Sequence, residues 1–305
     1  MLHEIIPELS GLVDFERPED VHREVRAIIL LMFPEFDFVV FDTAFEDALR
    51  LFRGEYPGYQ GCNTLYHDLE HTTDALLAMA RLMHGAFVDG TRLGGREVNL
   101  GLISALMHDT GYIQRVDERS GTGAQYTLVH IRRSAEFMNQ YFTERGYSRE
   151  DFIFCADLLR CTGLETKIAQ IRFESPEHEI VGKMLGTADL LGQMADRQYL
   201  KKLGFLYNEF REGMVPGFAD ELDLLEKTPA FYEFTVRRFA GELSAVYRYM
   251  RGHFRVRWNT DRDFYLDSIE KQIGSLRSAI KDCNARYNDR EMTRMALTAR
   301  LMESV

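Results

Sequence analysis

Between residues 63 and 112 the chain reads NTLYHDLEHTTDALLAMARLMHG and, after a short break, LGLISALMHDTGY. Apolar residues recur there at helical spacing, and an α-helix repeats every 3.6 residues. On one helix, His67 and His71 would project from one face, with Asp74 a turn further on near the same side. Roughly one helix later, His108 is followed directly by Asp109. Imidazole and carboxylate are what a divalent cation takes from a protein, so this stretch is read as a metal site built on neighbouring helices.

The rest of the chain carries the same period. Pro18 with the acidic residues after it opens a helix over about 18–31, which Pro34 stops. A second helix is expected over 42–53, followed by the loop GEYPGYQGCN. The His-bearing helix is expected over 64–84, a turn over 85–96 and a helix over 97–109. The stretch 110–125, with three glycines and little periodicity, reads as the longest loop, a candidate lid beginning at the expected metal site. Further helices are expected over about 127–144, 149–162, 177–195, 197–213, 229–251, 261–283 and 289–302. No alternating strand pattern, internal repeat or low-complexity tract is visible, and no linker marks a boundary. The expected fold class is all-α, in a single domain over 1–305.

Composition narrows the partners. A net charge of −11 disfavours a nucleic-acid polymer, whose binding depends on basic side chains at phosphates. A small anionic substrate stays compatible, because a bound cation would supply local positive charge. The four cysteines (Cys62, Cys155, Cys161, Cys283) lack Cys-x-x-Cys spacing and read as free thiols. The N-terminus has neither a basic start nor an apolar run, and no stretch approaches the ~20 apolar residues of a membrane span. A soluble cytoplasmic protein without membrane partners is expected; a homodimer is compatible with the sequence.

A metal-assisted hydrolase needs ligands from several elements converging on one point. His71, His108 and Asp109 come from two helices. Asp189 is the best fourth, since it stands in the apolar run MLGTADLLGQM, where an unpaired carboxylate is expensive. Two imidazoles and two carboxylates suit manganese, zinc, iron or magnesium, as one ion or two, and Asp109 could bridge a pair. Asp74 reads as an orienting partner for a ligand histidine. His178, His84 and His253 are read as unrelated to the chemistry.

The series Tyr66-His67-x-x-x-His71-x-x-Asp74, then His108-Asp109, then Asp189 in a Thr-Ala-Asp context, resembles the HD-domain superfamily of metal-dependent phosphohydrolases. Its opening is similar to that of the class I cyclic-nucleotide phosphodiesterases. The resemblance covers about 63–192. It implies an HD-domain helical bundle with additional N- and C-terminal helices, the HD core spanning about 63–192 and a C-terminal helical extension about 193–305. It further implies His71, His108, Asp109 and Asp189 as ligands of a first metal, with Asp109 bridging to a second. His67 would protonate the leaving oxygen. His130, ahead of Ser-Ala-Glu, is a candidate for a second metal or a phosphate contact, with Arg133 beside it.

The sequence also departs from the pattern. Gly111-Tyr112 stands where those phosphodiesterases carry another His, and Ser275 replaces the aromatic expected after Gln272 in their purine-binding segment. Cys161 lies where many HD proteins have a further histidine, and reads as a buried thiol. The expected function is therefore hydrolysis of a small phosphate ester, a nucleotide for preference, by metal-activated water. Two alternatives stand beside it, an HD-fold di-iron oxygenase and a non-catalytic HD-fold sensor or scaffold.

Overall fold

The computed structural model describes residues 8–303, and every regular element among them is helical. In chain order these are α1 (Pro18–Met32), α2 (Val39–Phe52), α3 (Leu69–Val88), α4 (Gly95–Met107), α5 (His130–Arg145) and α6 (Arg149–Arg160). There follow α7 (Pro176–Ala195), α8 (Tyr199–Glu212), α9 (Glu221–Ala240), α10 (Tyr249–Trp258), α11 (Phe264–Arg286) and α12 (Arg290–Glu303). An isolated bridge between Tyr59 and Arg115 is the sole β-type pairing among the described residues.

The sequence writes most helix starts in cap chemistry. Asp68 accepts from the His71 amide at the start of α3, and Ser175, followed by Pro176, caps α7. Ser148 and Asp151 form a reciprocal capping box on α6. Each satisfies backbone donors that a helix start leaves without partners. Gly146, at φ +74°, ends α5 in the left-handed conformation that glycine adopts without penalty.

α3 is the axis of the bundle. Its residues from 71 to 86 are all buried, which marks a helix covered on every side rather than an amphipathic one lying on a surface. α1, α4, α7 and α10 surround it. Two glycines permit this closeness. A Cβ on Gly85 would meet the Tyr249 carbonyl oxygen at 1.8 Å, and one on Gly192 would meet the Ala75 amide nitrogen at 2.9 Å. α10 and α7 thus approach α3 backbone to backbone, and the second contact lies three residues from Asp189.

One contiguous apolar core runs from Leu9 to Leu301, so the helices after residue 192 help to build it. α11 also closes the end of α7, where the Gln272 amide donates to the carbonyls of Met194 and Asp196. That side chain is therefore a cap for orphan carbonyls and not a base-recognition group. No helix among the described residues is long and apolar enough to cross a membrane.

Two helix boundaries differ from expectation. The His-bearing helix begins at Leu69, so His67 precedes it in the loop and does not share its face with His71. The segment expected as one helix over 229–251 is two. α9 starts at Asp220, which caps it, accommodates Pro229 in its interior and ends at Ala240. Ser244 and Ala245, both at positive φ, then turn the chain into α10.

Gly85→Ala is expected to cost about 3 kcal/mol, the upper part of the usual range for overpacking, because the opposing atoms are backbone and cannot rotate away. Urea unfolding followed by circular dichroism measures it.

Candidate metal centre

His71 on the first turn of α3 and His108 at the C-terminal cap of α4 turn their Nε2 atoms toward each other, 3.3 Å apart. Asp109 Oδ2 stands 3.3 Å from the first nitrogen and 3.4 Å from the second. These three residues each offer one ligand atom, all within 4.8 Å of one another. Asp189, from the middle of α7, brings Oδ1 to 3.3 Å from His71 Nε2 and 3.7 Å from His108 Nε2. The structure therefore brings together the four residues expected as first-metal ligands.

The His108 imidazole is oriented from behind. His108 Nδ1 lies 2.8 Å from the Ala105 carbonyl, to which it donates, and this fixes the tautomer whose Nε2 carries the lone pair. Asp109 has φ −108° and ψ 9°, near the sparsely populated bridge region that recurs at active sites. It enters a 3-10 turn, Thr110–Tyr112, that leans on the start of α5. There the Gly111 amide donates to Ser134 Oγ, which donates to the His108 carbonyl. A Cβ on Gly111 would lie 2.0 Å from the His130 carbonyl oxygen, so only glycine allows this turn to reach α5.

The electrostatics are those of a site short of positive charge. Burial raises the carboxyl of Asp109, but the imidazoles of His108, His71 and His67 outweigh it and hold it well below the carboxylate range. Asp189 is lowered in the same way by His108 and His71 against the effect of burial. Burial disfavours charge on His71, yet Asp109 and Asp189 raise its imidazole well above the ordinary value, and His108 is raised by the same pair. Two carboxylates out of water demand cationic partners, which is the charge that a bound cation would bring.

His67 lies beside this cluster, and its ring is held on two sides. Nδ1 is 2.6 Å from Glu209 Oε2, and the ring stacks on Tyr112 with centroids 4.4 Å apart and planes 11° from parallel. Glu209, on α8, also accepts the backbone amides of Leu65 and Tyr66 through Oε1 at 2.9 Å and 2.7 Å. One buried carboxylate thus fixes both the loop carrying His67 and the imidazole itself. Sequence reasoning missed Glu209. It stands in an amphipathic helix more than a hundred residues away, and nothing local distinguishes it from a surface glutamate.

His130, the first residue of α5, also stacks on Tyr112 with centroids 4.7 Å apart, and its ring centre is 6.4 Å from that of His67. Its Nδ1 lies 2.6 Å from the Thr127 carbonyl, and its Nε2 lies 3.8 Å from Asp109 Oδ1. Burial pushes this imidazole down, despite the neighbouring Asp109, toward the neutral form that ligates metals. The two oxygens of Asp109 therefore face different partners, Oδ2 the four-residue cluster and Oδ1 His130.

Arg133 is not free to meet a phosphate. It pairs in bidentate fashion with Glu118 at 2.8 Å, donates to the Gly111 and Ile113 carbonyls, and lies over the Tyr126 ring. A planar guanidinium with its donors engaged is a clamp on the segment after Asp109. That segment, expected as a lid, is also tied to Gln60, Asn63 and Glu212 by hydrogen bonds.

Asp74 is buried one turn beyond His71 but does not orient it, since neither His71 Nδ1 nor Asp74 Oδ1 has a hydrogen-bond partner. Burial, then the nearby Asp196 and Glu70, raise the Asp74 carboxyl well above its usual range. Cys161 donates to the Asp157 carbonyl in the core, and all four cysteines are free. His178 packs on Phe154 and bonds its carbonyl. His84 and His253, without partners in sequence, pair with each other at 3.1 Å.

Removing Glu209 separates its two tasks. Glu209→Ala strands two backbone donors and should destabilise the protein by about 3 kcal/mol. Glu209→Gln keeps an acceptor for those donors and should cost about 1 kcal/mol. Chemical denaturation of both variants checks the difference.

A family model described as Npun_R2479-like matches residues 57–251, which include every member of this cluster as well as Glu209. No curated protein and no solved structure matches the chain. With well over half its length covered by that match, the chain belongs to the Npun_R2479-like family.

Proposed function

We propose that this protein is a metal-dependent phosphohydrolase of the HD type, hydrolysing a small phosphate ester such as a nucleotide. The observation that carries this reading is the convergence of His71, His108, Asp109 and Asp189, with both Nε2 atoms facing two buried carboxylates. The donor set fits a borderline-to-hard divalent cation such as manganese, zinc, iron or magnesium. Asp109 Oδ2 is buried without a hydrogen-bond partner, as an oxygen reserved for a cation would be.

His71, His108, Asp109 and Asp189 would hold the first ion, and Asp109 Oδ1 with His130 could hold part of a second. A bound divalent ion would supply Lewis acidity, making a water more acidic and offsetting charge on the phosphoryl oxygens. The remaining work falls to the chain. His67, hydrogen-bonded through Nδ1 to Glu209, retains Nε2 to donate a proton to the departing alkoxide. Glu209 fixes its direction, while the Tyr112 ring limits its rotation. The family pattern carries another histidine where this chain has Gly111-Tyr112, and that departure favours generic phosphoester chemistry over cyclic-nucleotide specificity.

His108→Ala and Asp109→Ala should abolish metal uptake and turnover together, measured by elemental analysis and a screen of nucleotides, cyclic nucleotides and phosphodiesters in added manganese, zinc, iron or magnesium. Metal retained at the wild-type level in both variants, or turnover surviving in either, contradicts the assignment. His67→Ala should lower kcat by about 10²–10⁴-fold for an alkoxide leaving group. It should change kcat far less for p-nitrophenolate, which departs without a proton.

A further inference from the structure

A cavity of about 550 Å³ opens along the seam of α3 and α7, and none of His71, His108, Asp109 or Asp189 lines it. Its volume is in the range of small-molecule sites. The N-terminal segment, one side of α3, the end of α7 and Tyr265 of α11 form its walls. Five carboxylate residues line it against a single cationic one, Arg197, so the cavity disfavours anions.

Most of those carboxylates already have partners. Glu16 pairs with Arg197, and Lys202 holds both Glu70 at 2.8 Å and Asp196 at 2.7 Å. Asp14 accepts the Glu16 backbone amide at 3.1 Å, and Asp74 is the exception. It is 5 % exposed, lines the cavity, and its Oδ1 has no hydrogen-bond partner. A buried carboxylate oxygen left unpaired is costly, and a cationic donor is the partner that relieves it best.

Aromatic rings complete the wall. Phe15 and Tyr265 both line the cavity, and fully buried Arg81 stands behind them. Its guanidinium carbon is 5.9 Å from the Phe15 ring centre, and it donates to the Tyr265 hydroxyl at 2.9 Å. Aromatic faces beside an unpaired carboxylate suit an ammonium on an apolar body. A bare divalent ion would require several free oxygens, and the neighbouring carboxylates are engaged.

We propose that this cavity is a binding site for a small organic cation, whose ammonium group pairs with the Asp74 carboxylate while its apolar body lies against Phe15 and Tyr265. The site is separate from the four-residue cluster and does not depend on the hydrolase reading.

Isothermal titration calorimetry of the full-length protein with benzylammonium and with spermidine tests it, with benzyl alcohol and benzoate as neutral and anionic controls. At least one ammonium should bind saturably at one site, and both controls should fail. Treatment with EDTA should leave that binding unchanged. Asp74→Asn should weaken it about tenfold or more, as expected for loss of a charge-assisted hydrogen bond. Phe15→Leu, which leaves the α3–α7 seam intact, should weaken it severalfold and decides the matter if Asp74→Asn does not fold. The proposal is overturned if neither ammonium saturates or benzyl alcohol binds equally well. Loss of binding on EDTA treatment, or wild-type affinity in a folded variant, overturns it too. Manganese alone displacing the ammonium would replace the organic cation with a metal ion.

Discussion

Two carboxylates and two imidazoles meet where α3, α4 and α7 converge, in a place that water barely reaches. Isolated charges there would be prohibitive, and each is tolerable only because the others are present. The surrounding architecture serves that meeting. α3 is buried on all sides, Gly192 lets α7 come to backbone distance, and Gly111 lets the turn after Asp109 lean on α5. The apolar core holds these elements rigid enough for polar atoms 3.3 to 3.7 Å apart to keep their positions.

Around this cluster the helices after residue 192 provide more than bulk. Glu209 reaches from α8 to the loop before α3 and ties down His67, while Gln272 on α11 caps α7 a few residues beyond Asp189. A chain truncated after α7 would keep the four cluster residues and lose the group that positions His67. The stacked rings of His67, Tyr112 and His130 join the loop before α3, the turn after α4 and the start of α5.

Much of this was legible in the sequence. The helical period gave the all-α class, and Pro18 with the acidic residues after it marked the start of α1. His108-Asp109 at the end of an apolar helix and Asp189 inside another stood out because burial makes such residues expensive. What escaped depended on tertiary approach or backbone detail. Periodicity cannot tell that Asp68 is a cap, so His67 was read as helical when it lies ahead of α3. Pro229 is tolerated within α9, whereas the helix ends at Ala240 with Gly241 as its C-cap, and Ser244 and Ala245 then turn the chain into α10. Arg133 looked free because its partner, Glu118, lies in a segment without periodicity. Asp74 looked like an orienting group because it follows His71 by one turn, yet its oxygen faces elsewhere unpaired.

The central claim is that these four side chains grip one divalent cation. A crystal soaked in manganese and measured for anomalous scattering tests it directly. The account predicts a peak about 2.0–2.3 Å from His71 Nε2, His108 Nε2, Asp109 Oδ2 and Asp189 Oδ1, the distances at which such ligands bind. An empty cluster at saturating manganese, or a peak held by other residues, would contradict it.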